Sequence, residues 1–269
     1  MDEPELMSRH EEGADLSVAL WRLSSPLLAL SSAPYGGGWG MRHWILAAQV
    51  AANYSRLDPA GHLAELVGGL ALDRPGIGML TAVDVRLVST CREDGVVAAA
   101  TVGISHPTWA AAETGAAGAD AETGSADAAP AGAAGCGGTV NIVAVLDRRL
   151  SPAALVNAVM TVTEAKSQAL WEAGFPGTGT PSDAVAVLCP AAGPAEAFAG
   201  PRSLWGSRLA RAAHRAVLDG SRRWAEARGS RWCWAAPGPA SPRSPSASPR
   251  ACRRPSPTWR RWYPATTRI

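Results

Sequence analysis

Lysine is almost missing from this 269-residue chain: of 25 basic side chains, Lys166 is the only one that is not arginine. Phenylalanine and tyrosine are scarce as well, two and three, so the eleven tryptophans supply most of the aromatic surface. No apolar run approaches the roughly 20 residues that a helix needs to cross a bilayer; stretches such as 96–104 are far shorter. Residues 1–15 are acidic and polar, without the basic start and apolar middle of a secretory signal. The cysteines, Cys91, Cys136, Cys189, Cys233 and Cys252, are odd in number and far apart, with neither zinc-ligand nor redox-pair spacing. These absences argue against a membrane span and a disulfide framework, and the simplest expectation is a cytoplasmic protein with free thiols.

Charge is present but unevenly placed. The net charge of +2 averages a body, residues 1–220, with 14 basic and 22 acidic side chains, and a tail, 221–269, with 11 arginines and one acid, Glu226. A body of net −8 argues against a nucleic-acid-binding main domain, because phosphate binding needs a basic surface. Residues 235–269 hold eight prolines and no acid. Such a tail reads as disordered, and its composition also fits a shifted reading frame of GC-rich DNA. Residues 110–138 hold 13 alanines and seven glycines among 29 positions. They bury too little apolar surface to offset their ordering entropy, so a flexible insertion is expected there. The expected organisation is therefore a flexible N-terminus (1–15), one folded domain (16–220) interrupted at 110–138, and a disordered tail (221–269).

Within the body, residues 15–30 alternate as two short strands broken at Ser25-Pro26, and 42–50 reads as another. Asp58-Pro59 starts a helix that carries His62, Leu63, Leu66, Val67 and Leu70 at helical spacing. Residues 77–90 and 95–104 read as strands joined at Glu93-Asp94-Gly95. A β-branched strand follows at 139–146, then a helix capped by Ser151-Pro152 and closed by Gly174, a strand at 184–189, and an amphipathic helix over 203–218. This order lacks regular β-α alternation. It predicts a single α+β domain with a mixed, largely antiparallel sheet packed by about three helices.

Polar clusters interrupt the apolar strands, where loops project functional groups from a rigid frame. Ser31-Ser32 precedes a glycine loop with Gly36, Gly37 and Gly38, which either approaches a ligand closely or makes a tight connection. No Lys-Ser or Lys-Thr follows, so it is not a phosphate-binding P-loop. Thr81, Asp84 and Arg86 lie in the next cluster; the last two fall on one side of a strand, as site residues or as a solvated ion pair. Thr178, Thr180, Ser182 and Asp183 form another, in which Asp183 either caps a turn or does chemistry. His43 and His106, beside the glycine loop and a strand end, are the better acid–base candidates. His62 and His214, on helices, read as surface or packing residues, and no set of histidines has metal-ligand spacing. Lys166 falls on the inward stripe of its helix, where it either snorkels outward or meets a carboxylate or anionic group of a site.

Six blocks in order resemble the adenosylcobinamide amidohydrolase family of corrinoid salvage. They are Leu30-Ser31-Ser32-Ala33-Pro34 with the glycines after it, Gly78-Met79-Leu80-Thr81-Ala82, and Thr101-Val102-Gly103-Ile104-Ser105-His106-Pro107. Gly138-Thr139-Val140-Asn141-Ile142-Val143 follows, then the helix stretch from Ala154 to Lys166, then Thr178-Gly179-Thr180-Pro181-Ser182-Asp183-Ala184. Together they span about residues 16–220; the insertion and the basic tail fall outside the matching blocks.

The resemblance implies hydrolysis of the amide that joins the corrin ring's propionyl side chain to aminopropanol, giving adenosylcobyric acid and 1-amino-2-propanol. It implies adenosylcobinamide as partner, with no nucleic acid and no membrane. The corrinoid is then substrate and no cofactor is expected; no residue is assigned to a metal, and the metal requirement stays open. The implied contacts to substrate are Ser32, Gly36, Gly37, Gly38, Thr81 and Arg86, with Asn141, Lys166, Thr178, Thr180 and Ser182. The competing class is a corrinoid-binding protein without turnover.

No Gly-x-Ser-x-Gly elbow is present, so two catalytic routes stay open. In one, Asp84 or Asp183 works with His43 or His106 to activate water. In the other, Thr139 is the nucleophile. The order Gly138-Thr139, strand, Ser151-Pro152 and long helix distantly resembles the self-cleaving ornithine acetyltransferases and β-peptidyl aminopeptidases. Without such a role, Thr139 simply starts a strand.

Overall fold

A computed structural model of the chain describes residues 1–112 and 138–228. The expected flexibility of the insertion and of the tail beyond Arg228 concerns residues outside these. The described body carries eight strands and three α-helices: β1 (Glu5–Glu11), β2 (Ala14–Ser31), β3 (Gly38–Gln49), α1 (Pro59–Gly69), β4 (Ile77–Thr81), β5 (Ser89–Glu93), β6 (Val96–Gly103), β7 (Thr139–Leu146), α2 (Pro152–Glu172), β8 (Ala184–Cys189) and α3 (Leu204–Ala227). They form one mixed sheet in the order β4-β3-β2-β8-β7-β6-β5, with β1 paired to β2. Only β3–β4 and β7–β8 run parallel, each joined through a helix, and the other pairs are antiparallel. The α+β expectation is met.

Side-chain alternation sorts the sheet into two faces. Val185, Val187 and Cys189 of β8, with Val140, Ile142 and Ala144 of β7, pack under α2 and α3. The opposite face carries small residues, Ala19, Ala29, Ala47, Ala99, Ala184 and Ala186, around Trp21, Ile45 and Met79. Small side chains there let the sheet curl. As a result the Leu80 carbonyl of β4 accepts a hydrogen bond at 2.8 Å from Asn141 Nδ2 of β7, although three strands separate the two in the sheet. The Ser151 and Ser203 hydroxyls cap α2 and α3, accepting from the N–H groups of Ala154 and Gly206.

Four local expectations need correction. Residues 5–11 are not a flexible terminus but a strand, joined to β2 through Glu12 and Gly13, both at positive φ (50° and 79°) as a type I′ turn requires. Residues 14–31 are one strand, not two. Its register shifts between Arg22 and Leu27, across Pro26, which has no N–H to donate to a ladder, and beyond the shift β2 acquires β8 as a neighbour. Residues 77–90 are likewise two strands, interrupted by a 3-10 turn at Val85–Leu87. The last helix does not stop at 218, nor the folded body at 220: α3 runs to Ala227, burying Ser221 and Trp224.

Trp224 packs edge-on against Phe175, ring centroids 5.8 Å apart, and this contact extends the helix past the expected boundary. Ending the chain after Gly220 should therefore cost about 3 kcal/mol, the scale of losing one buried tryptophan. Ending it after Arg228 keeps this packing. Denaturant melts of the two truncations measure the difference.

Candidate active site

The curl leaves a cleft of about 590 Å³ between the end of β4 and the starts of β7 and β8. Ser32 and Pro34 line it from the segment after β2, which crosses to β4 through paired backbone hydrogen bonds between Tyr35 and Gly78. Leu80 and Thr81 of β4 line it with Ala82 just beyond, Thr139 and Asn141 of β7 with Gly138 just before, and Ala184 of β8 with Pro181, Ser182 and Asp183 leading into it. Val50, Tyr54, Arg56 and Pro59 complete the wall.

Two hydroxyls meet in the cleft: Thr139 Oγ1 and Ser182 Oγ are 2.7 Å apart. Ser182 Oγ is also 3.1 Å from the Gly138 carbonyl oxygen, to which it can donate. Behind them lies a buried ion pair, Lys166 with Asp183, whose side chains are 8% and 11% exposed. The Asp183 carboxylate is saturated with donors. Its Oδ1 accepts from Val140 N–H at 2.9 Å and from the Thr180 hydroxyl at 2.5 Å. Its Oδ2 accepts from Thr180 N–H at 3.1 Å and from Lys166. Gly179 makes room for the pair, since a Cβ there would strike Asp183 Oδ2 and stand 2.5 Å from Lys166 Nζ. Asp183 thus clamps the start of β7 to the approach to β8. A carboxylate with four donors holds its neighbours in fixed positions.

Of the residues singled out from the sequence, Ser32, Thr81, Thr139, Asn141, Ser182 and Asp183 line the cleft, with Lys166 and Thr180 directly behind. The others stand elsewhere. The glycine loop packs against the body: a Cβ on Gly36 would strike the Gly76 carbonyl, and Arg42, itself buried, donates to the Gly36 and Gly37 carbonyls at 2.9 and 3.2 Å. Gly38 opens β3, outside the lining. Thr178 ties its turn to Thr108 and Ala110. His43 sits half-buried in β3 and His106 is exposed after β6; neither lines the cleft.

Asp84 caps the 3-10 turn, so it and Arg86 do not share a strand face. Arg86, the main cause, with Ser17 Oγ at 2.7 Å, holds the Asp84 carboxyl down at about 2. A group depressed in this way stabilises the fold fully above its ordinary value near 4 and loses that contribution as pH falls toward 2. Asp84→Asn should therefore cost about 1 kcal/mol at pH 7, allowing for solvent screening. The gap in Tm from the wild type should close between pH 4 and 2.

Tyr54 and Arg56 escaped the sequence reading because loop residues carry no periodicity. The Tyr54 ring stacks on buried His62, whose Nδ1 is 3.1 Å from the phenol and whose Nε2 is 3.1 Å from Glu11. Burial pushes the phenol up. Arg56 is held by Glu65 at 2.8 Å and Asp58 at 3.1 Å, so its charge is matched before any ligand arrives.

A curled α+β sheet with paired hydroxyls at the mouth of a partly enclosed cleft suits acyl-group chemistry on an uncharged amide or ester. Comparison with known proteins agrees: the family model described as adenosylcobinamide amidohydrolase (CbiZ) matches residues 3–229. The chain belongs to this family of amide hydrolases. The adenosylcobinamide amidohydrolase of Methanosarcina mazei is 28% identical over 193 residues, covering 68% of this chain and 85% of that protein. The adenosylcobinamide amidohydrolase of Halobacterium salinarum is 44% identical over 86 residues, 30% of this chain and 36% of that protein. No helix among the described residues is long and apolar enough to cross a membrane.

Proposed function

We propose that the protein hydrolyses the aminopropanol amide of adenosylcobinamide, releasing adenosylcobyric acid and 1-amino-2-propanol, and that it does so in the cytoplasm as a step of cobalamin salvage. The observation that carries this reading is the family match across residues 3–229, which spans every residue lining the hydroxyl-bearing cleft. The cleft, of about 590 Å³, is open on one side. In this reading it receives the amide arm, with the macrocycle resting at the mouth.

In this reading Thr139 Oγ1 attacks the amide carbonyl, its proton passing to Ser182 Oγ, 2.7 Å away, as Ser182 gives up its own proton toward the amide nitrogen. The released amine takes that proton, and water then hydrolyses the acyl ester on Thr139. Lys166 and Asp183 are positioning residues that hold the two strand ends in register.

The test is incubation of the purified protein with adenosylcobinamide, with both products quantified. Release of aminopropanol and the corrinoid acid in equal amounts is expected. Corrinoid bound but unchanged would overturn the reading in favour of a binding protein.

A further inference from the structure

The cleft hydroxyls face a second amide, the chain's own. Gly138 holds a left-handed conformation, φ 55°, immediately before Thr139. Only glycine fits, because a Cβ there would stand 2.5 Å from the Gly103 carbonyl oxygen and 2.8 Å from Ser105 N. Two hydroxyls contact the Gly138 carbonyl oxygen, Thr180 Oγ1 at 3.0 Å and Ser182 Oγ at 3.1 Å.

Counting protons orders this cluster. A hydroxyl has one proton to give. Thr180 lies only 2.5 Å from the Asp183 carboxylate, the stronger acceptor, and gives its proton there. Ser182 is then the donor to Gly138 O, and Thr139 must donate to Ser182. The hydrogen-bond chain thus runs from the Thr139 hydroxyl, through Ser182, to the carbonyl of the peptide bond that precedes Thr139.

We propose that the protein cleaves its own backbone between Gly138 and Thr139. Thr139 Oγ1 attacks the Gly138 carbonyl carbon, and its proton moves along the chain through Ser182 to the carbonyl oxygen. The tetrahedral centre forms without net charge. As electron density builds on that oxygen, the Thr180 proton turns toward it, since Lys166 already compensates Asp183. The C–N bond then breaks, the nitrogen takes the proton, and Gly138 is left as an ester on Thr139. Water hydrolyses this ester to the Gly138 carboxylate and restores the Thr139 hydroxyl. Water is the only co-reactant. Cleavage leaves a free α-amine on Thr139 beside its own hydroxyl, a base whose ordinary pKa is about 8. The self-cleavage itself does not depend on the corrinoid reading.

Intact-mass spectrometry and N-terminal sequencing of the full-length protein, incubated after purification, test the proposal. Two fragments, 1–138 and 139–269, are expected, the second beginning at Thr139. Thr139→Ala should remain one chain, Thr139→Ser should still cleave, and Ser182→Ala should cleave about 100-fold more slowly, the low end of what a positioned proton-transfer group contributes. A wild-type chain that stays whole overturns the proposal. So do ragged ends upstream of Gly138 that persist in Thr139→Ala, which mark outside proteolysis. Aminopropanol release from the same samples separates the two readings. An intact chain that hydrolyses adenosylcobinamide removes self-cleavage alone, and a cleaved chain that does not hydrolyse it removes the substrate assignment alone.

Discussion

Asp183→Asn should lose about 3 kcal/mol of folding stability, with activity falling at the same time. If the carboxylate only capped a turn, asparagine would serve as acceptor and little would change. The structure argues otherwise, because both oxygens are occupied: Oδ1 by Val140 N–H and the Thr180 hydroxyl, Oδ2 by Thr180 N–H and Lys166. Whichever way an amide were turned, its NH₂ would face two donors, and Lys166 would remain buried without its counter-charge. Breaking a buried ion pair from one side costs about 3–5 kcal/mol. Urea melts read the loss. The double variant Lys166→Met with Asp183→Asn should recover part of it, since the stranded charge is then gone. An Asp183→Asn protein that melts like the wild type would show that the clamp carries no weight.

The second large effect is at Thr139. Thr139→Ala removes the nucleophile of the proposed reaction and should lower aminopropanol release by about 10³-fold or more, as expected when a covalent route is lost. Thr139 is half-buried at the first position of β7, so the fold should lose little and Tm should stay close to wild type. Thr139→Ser keeps the oxygen and should retain most turnover. Ser182→Ala should fall between the two, because water can replace a relay. Equal loss in Thr139→Ala and Thr139→Ser would point to the methyl group, hence to packing, and would remove Thr139 from the chemistry.

Much of the scaffold was legible because local chemistry and global fold agree. Ser151-Pro152 and Ser203 mark helix starts, and the turn at Asp94-Gly95 joins two strands where expected. β1 gave no apolar signal: it is an edge strand held by backbone pairing to β2 and by Arg9 reaching the Gln49 carbonyl. Pro26 reads as a stop, and only the tertiary shift of register carries β2 through it. The site was legible in part. Thr81, Asn141 and Ser182 come together through the curl of the sheet, a long-range property that no local window contains. His43 and His106 attract attention as the imidazoles nearest the polar loops, yet their places, within β3 and in the loop after β6, keep them out of the cleft.

The internal pairing of Arg56 with Asp58 and Glu65, and of Asp183 with Lys166, has a kinetic consequence. Among the described residues, the two charged side chains that line the cleft, Arg56 and Asp183, are opposite in sign and each is paired, so the lining itself projects little net field toward an approaching molecule. Electrostatic steering, which raises association rates and makes them fall with ionic strength, then has little to act on. Capture of substrate should be governed by diffusion and by orientation of the amide arm. Adding salt from 50 to 500 mM should leave KM nearly unchanged.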